Sequence, residues 1–304
     1  MTQFMFTPAV REQAKARIAL AGPPGSGKTY TSLALATAMG NRVAVIDTEH
    51  GSASKYATGK DGSGFTFDSL ALTRFEPRDL VGALAAASQA GYPVVVIDSL
   101  SHFWSGVGGM IEQADNAARR YNGNTFAGWK DARPMERELI EAMLAYPGHL
   151  IATMRSKTEY VIEENDRGRK TPRKVGTKLE QREGIEYEFD VVGDLDIENT
   201  LVVSKSRCPA LSGAVVSRPG AEFAERVTEW LSSGAEVPES SSYIDQATSS
   251  ELTYEQAREL YLELESRRLL SIPMLDPESG DPVTIGPFLW KRGHHLKPVD
   301  HEAA

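Results

Sequence analysis

Short runs of β-branched or apolar residues alternate with stretches of helical period through the first half of the chain. The runs are residues 17–21 (RIALA), 42–47 (RVAVID), 65–70, 93–98 (PVVVID) and 149–153 (HLIAT), each of strand length. Between them the spacing predicts helices over 28–39, 77–90, 109–121 and 133–145. Strand, helix, strand, helix is the order of an α/β fold: a mostly parallel, twisted sheet flanked by crossover helices. After residue 153 the period vanishes for a densely charged stretch of about thirty residues, which reads as a long surface loop. Alternation returns over 187–192 and 200–205, with DLDIEN as a turn between them, and predicts a late β-hairpin.

Residues 222–231 form a short amphipathic pattern, and 232–250, rich in Ser and Glu with Gly and Pro, have linker composition. TYEQ at 253–256 is a capping box, and Ala257, Leu260, Tyr261 and Leu264 mark one face of the helix it opens. The expected organisation is an N-terminal segment (1–16), a core (17–231), a linker (232–250) and a small helical C-terminal extension (251–304).

Composition narrows the function. Against 33 basic side chains stand 42 acidic ones, a formal charge of -9, which argues against coating nucleic acid through bulk positive charge. A single cysteine, Cys208, rules out an intrachain disulfide and an all-cysteine metal site. His294, His295 and His301 lack cysteine partners and helical spacing, and read as a solvated tail. No stretch reaches the roughly 18 apolar residues of a membrane span, and the first residues lack a signal-peptide core, so a cytoplasmic protein is expected.

The chemistry begins at residues 22–29, GPPGSGKT, a full GxxxxGK[ST] match set between a strand and a helix. Gly22, Pro23, Pro24, Gly25, Ser26 and Gly27 form a loop whose backbone N–H groups can surround phosphates. Lys28 can reach the β- and γ-phosphates and Thr29 can hold Mg²⁺, while the helix start adds its dipole. Tyr30, next in the helix, lies at the edge of this nucleotide stretch and reads as a packing residue. ATP with Mg²⁺ is the expected ligand. Hydrolysis needs a second acid on the metal, and Asp98, at the end of VVVID, supplies one at the carboxyl end of a buried strand. AAA+ machines usually follow that acid with a glutamate, whereas here Ser99 follows. The remaining acid is Glu49 in VAVIDTEHGSASKYA, which by position alone reads as a solvated loop residue.

Taken together, these segments resemble the RecA-like branch of P-loop ATPases. The resemblance implies that Glu49 activates the attacking water and that Asp98-Ser99 is the Walker B pair. IATMRSK, residues 151–157, resembles the strand entering the second DNA-binding loop of RecA, with Arg155 and Lys157 matching. Thr153 departs from the pattern, standing where RecA has a glutamine that senses the γ-phosphate. Lys205 and Arg207 match a K-x-K/R pair inserted toward a neighbouring subunit's nucleotide, and as i and i+2 in a strand they share one face. NTFAGWKDARP, PGHLIATMRSKTEYV and KVGTKLEQREGIEYEFDVV are similar, more closely, to phage-encoded RecA-like ATPases of the single-strand annealing and recombination group. That likeness implies a homo-oligomer, ring or filament, acting on single-stranded DNA beside a single-strand-binding protein in the host cytoplasm.

One segment modifies the charge argument. Residues 167–182 hold Arg167, Arg169, Lys170, Arg173, Lys174, Lys178 and Arg182 against Glu180 alone, a local +6 within a chain of -9. A single strand's phosphates would match it, and the alternative is a solvated hairpin whose halves pair with the acids before it. Two functions therefore stand: an ATPase acting on single-stranded DNA, or a nucleotide-dependent switch controlling a protein partner without touching DNA.

Overall fold

The computed structural model describes residues 8–164, 170–238 and 240–297. Its first half runs β1 (Arg17–Gly22), α1 (Lys28–Met39), β2 (Val43–Asp47), β3 (Asp68–Ala71), α2 (Pro77–Gln89) and β4 (Val94–Asp98). Next come the single turn α3 (His102–Ser105), α4 (Met110–Arg119), α5 (Thr125–Ala145), β5 (His149–Glu164) and β6 (Lys170–Leu179). Then follow β7 (Val191–Leu195), β8 (Thr200–Ser206), β9 (Val215–Ser217), α6 (Ala221–Ser232), α7 (Ser240–Thr248) and α8 (Tyr254–Ser266). The described chain closes with β10 (Pro273–Leu275), β11 (Pro282–Thr284) and α9 (Ile285–Leu296).

Among the described residues the main sheet has nine strands in the order β3-β2-β4-β5-β1-β7-β8-β9, with β6 attached to β5. Pairing is parallel from β3 to β7 and antiparallel beyond. The apolar runs follow from burial on both faces. Ala19 and Ala21 of β1 pack with Val95 and Ile97 of β4 beneath α2 and α5. The alternate residues Ile18 and Leu20 pack with Val94 and Val96 against α1 and α6 on the other face. Every crossover helix thus has an apolar sheet face to cover, and all the parallel strands end along one crest.

The first strand of the late hairpin starts at Val191 and not at 187, and His294 and His295, read as a tail, lie in α9. Three further elements differ from the sequence pattern. The helix expected from residue 133 starts at Thr125, capped by Asn124 Oδ1, which accepts the Ala127 N–H at 3.2 Å, and it carries Pro134 inside. Proline removes one helical hydrogen bond, but Gly128 and Ala132 before it and Leu139 and Ile140 after it are buried, so packing holds both halves in line. The charged stretch after Thr153 is a β-hairpin and not a loop. β5 continues to Glu164 and pairs antiparallel with β6, Ser156 opposite Leu179 and Glu164 opposite Lys170. A ribbon that leaves the sheet needs no apolar alternation, so a search for hydrophobic period passes over it.

In the linker-like stretch, α7 forms and buries Tyr243 and Ala247 in a third cluster with Leu260, Leu264, Met274 and Ala145 of α5. Here the apolar residues are too few to show a period and are supplied by several elements at once. The capping box is formed as spaced: Thr253 Oγ1 accepts the Gln256 N–H at 3.3 Å, and Gln256 Oε1 accepts the Thr253 N–H at 2.9 Å.

Candidate functional site

The loop between β1 and α1 lies at the crest of the sheet. Gly25 and Gly27 adopt φ of 81° and 80°, a conformation glycine takes without cost, and it turns successive N–H groups inward. Gly27 is the N-cap of α1 and no side chain caps that end, which leaves the first-turn N–H groups pointing into the loop. Ser26 Oγ is buried there without a partner. Lys28 folds back over the loop, its Nζ donating to Gly22 O and Pro23 O at 2.9 Å each. Burial lowers the Lys28 pKa below the usual lysine range, against the opposing pull of Asp98 and Glu49.

Asp98 ends β4 at 2% exposure, and its peptide to Ser99 is cis. Thr29 Oγ1 donates to its Oδ2 at 2.7 Å and Thr153 Oγ1 to its Oδ1. Burial raises the Asp98 pKa, while the two threonine hydroxyls pull it back toward the ionised form. Thr29 and Asp98 thus present touching hard oxygens beside the loop, a donor set that suits Mg²⁺, which takes one or two protein oxygens and completes its shell with phosphate and water. No group of three or more His, Cys, Asp or Glu able to hold a metal occurs among the described residues. Thr153 points at Asp98, donating to one oxygen of that carboxylate.

Glu49, just past β2, is paired and three-quarters covered instead of solvated. Its Oε1 accepts from Arg155 Nε at 3.1 Å and Nη2 at 2.9 Å, and its Oε2 accepts from Nη2 at 2.7 Å. His102 Nε2 lies 4.0 Å from Oε1. Burial would raise the Glu49 pKa, but the hydrogen bonds and charge of Arg155, aided by His102 and Lys28, bring it below the usual value. His102 is held below its ordinary 6.5, first by burial and then by Arg155.

Gly22–Thr29, Asp98, Thr153, Glu49 and Arg155 are therefore brought to one end of the sheet. Tyr30, 53% exposed, meets Tyr56 and Phe65 edge to face at 5.7 and 5.1 Å, beside the phosphate loop. Lys157 pairs with Glu180 at 2.9 Å and Lys178 is exposed. Lys170, Arg173 and Lys174 lie on β6, their side chains outside the description, and Arg167 and Arg169 lie outside the described residues. Lys205 and Arg207 do share a face: Lys205 Nζ donates to Tyr187 O at 3.2 Å, and Arg207 Nη2 to the same oxygen at 2.9 Å. Their strand register, Lys205 opposite Val192 and Val191 opposite Ile18, sets them at the start of β1, roughly 15 Å of strand from the phosphate loop of the same chain.

Sequence reasoning passed over Asp47, Thr48 and His102. Asp47 is 1% exposed beside Asp98 on the adjacent strand, and its Oδ1 accepts the Glu49 N–H at 2.7 Å. Thr48 Oγ1 accepts the Ser99 N–H at 2.6 Å and lies 2.7 Å from His102 Nδ1. Only the acid ending each of two apolar runs hinted at such a pairing, because register across strands is not written in either run.

No helix among the described residues is long and apolar enough to cross a membrane. The sequence profile of a family described as an AAA domain matches residues 14–217. No curated protein matches the chain.

Proposed function

We propose, since the chain belongs to the AAA domain family, that it binds Mg-ATP at Gly22–Thr29, hydrolyses it to ADP and phosphate, and does so in the service of single-stranded DNA. The loop N–H groups and Lys28 would neutralise the phosphates and stabilise the charge that develops as the terminal bond breaks. Thr29 and Asp98 would hold Mg²⁺, which when bound offsets the negative charge of the β- and γ-phosphates. Glu49 would take the proton of the attacking water, as an acid that shares the field of Lys28 and Asp98. The observation that carries this reading is the contact of Thr29 with Asp98, which joins the phosphate loop to the acid of β4.

The β5–β6 hairpin leaves the sheet beside the phosphate loop, and β6 carries Lys170, Arg173, Lys174 and Lys178, which supports a strand-binding role. The setting would be phage-type recombination or replication, in a homo-oligomer beside a single-strand-binding protein. Two variants test the core of this. Lys28→Ala should lose both binding of a fluorescent ATP analogue and phosphate release. Glu49→Gln should bind the analogue but hydrolyse about 10²- to 10⁴-fold more slowly, and a wild-type rate would sink the base assignment.

A second reading, a nucleotide switch acting on a protein through residues 251–304, is favoured by Thr153 at the sensor position and by the acidic remainder of the chain. A gel shift of an oligonucleotide at low salt with an ATP analogue separates them, since its absence favours the switch.

A further inference from the structure

We infer that Arg155 is a positioning residue that clamps Glu49 away from its water, and that an anion binding the β5–β6 hairpin releases the clamp. This rests on the reading of Glu49 as base and of the hairpin as the strand-binding element.

The geometry is that of a hinge. Arg155 is opposite Gly22 in the last register pair that β5 makes with β1, and the next residue, Ser156, opens the pairing with β6. One residue therefore belongs to the core sheet on its near side and to the hairpin on its far side. Its backbone is tied to both. The Arg155 N–H donates to Ser101 Oγ at 2.9 Å, and its carbonyl accepts the Glu180 N–H, at the foot of the hairpin, at 2.8 Å. Its side chain alone reaches across to Glu49.

That grip is unfavourable for a base. A carboxylate has about four lone-pair directions, and here three N–H contacts from one guanidinium take three of them, two on Oε1 and one on Oε2. A water is left a single direction, on Oε2, and the guanidinium's charge lowers the carboxylate's affinity for the proton it must take. The groups facing Glu49 are Arg155 from β5, His102 from α3 and Lys28 from α1, with Asp98 of β4 in the same field. Of these, only Arg155 contacts both oxygens. The pair is also not deeply buried, the Arg155 side chain being 42% exposed, so it can open without stranding a charge in the core. Phosphodiesters compete well for a guanidinium, which binds them through the same two-point fork. A strand lying on the hairpin would offer such a group one residue from Arg155.

The experiment is steady-state phosphate release by the full chain with Mg-ATP, with and without oligothymidylate, over a pH series, for wild type, Arg155→Ala, Arg155→Lys and Glu49→Gln. For Arg155→Ala we expect a DNA-free kcat raised roughly two- to fivefold, the range of a partly exposed ion pair. KM for ATP should be unchanged, the acid limb of the kcat profile should move to higher pH, and oligothymidylate should add little. Arg155→Lys, with one ammonium unable to hold both oxygens, should fall between the two.

An Arg155→Ala protein with the wild-type rate and acid limb, beside an inactive Glu49→Gln, would overturn the clamp alone. A fully active Glu49→Gln would remove the base assignment and the clamp together. A wild type that oligothymidylate does not stimulate, beside a faster Arg155→Ala, would overturn the hairpin as the trigger.

Discussion

His149 opens β5 with its Nδ1 accepting the Ala16 N–H at 3.0 Å, which requires that nitrogen to be unprotonated. Burial, with Lys15 and Arg17 nearby, lowers its pKa from 6.5 to about 4. The unfolded chain therefore binds a proton below pH 6.5 that the folded chain refuses until about pH 4. Stability should be complete above pH 6.5 and fall as the pH drops toward 4, by up to roughly 3 kcal/mol. Asparagine can present an oxygen near the Nδ1 position without titrating. His149→Asn should flatten that slope in urea unfolding measured across the window, and an unchanged slope would show that another group titrates. Arg17, beside it, donates to the carbonyls of Leu144 and Gly148 at 2.8 Å each and ties the start of β1 to the end of α5. Neither role could be read from the chain, where both residues look like polar ends of strands. Burial and a partner more than 120 positions away decide each of them.

Among the elements, the hairpin β5–β6 is where charge pattern and structure inform each other. Hydrophobic period fails there because the ribbon stands outside the sheet, yet the count of basic residues singled out the same segment. If that segment tracks a nucleic acid backbone, each phosphate neutralised contributes about 0.7 to the slope of log affinity against log salt for a single strand. Replacing Lys170, Arg173 and Lys174 together with Gln should then reduce the magnitude of that slope by about 2, read from oligonucleotide binding over a salt series. An unchanged slope would remove the hairpin from the interface. By contrast, the helices that cover the sheet were legible to within a few residues, since each carries its own apolar stripe. Only α5 departs further, starting at Thr125 and not at 133, where buried Gly128 and Ala132 carry the helix ahead of Pro134.

At the scale of the whole molecule, Lys205 and Arg207 sit at the far end of β1 from the phosphate loop, so any contact with a nucleotide must be with another copy's. Lys205→Ala/Arg207→Ala then lacks the donated cations but keeps Glu49, and Glu49→Gln has the reverse defect. If the sites are shared between subunits, mixing the two inactive proteins should restore phosphate release at mixed interfaces. A mixture no faster than the sum of its parts would argue against sharing.

What the chain determined by itself was whatever is local or periodic: the glycine loop and its lysine, the alternation of strand and helix, the capping box, and the α/β class that follows from them. The resemblance to RecA-like ATPases added a role for Glu49. Only the tertiary structure decided what depends on register and burial. It set Asp47 beside Asp98, turned Thr153 onto Asp98, and folded the charged stretch into a ribbon. It also brought Arg155, 106 positions along the chain, onto Glu49. Sequence carries the backbone's preferences residue by residue, whereas a carboxylate's chemistry is set by the neighbours that folding brings to it.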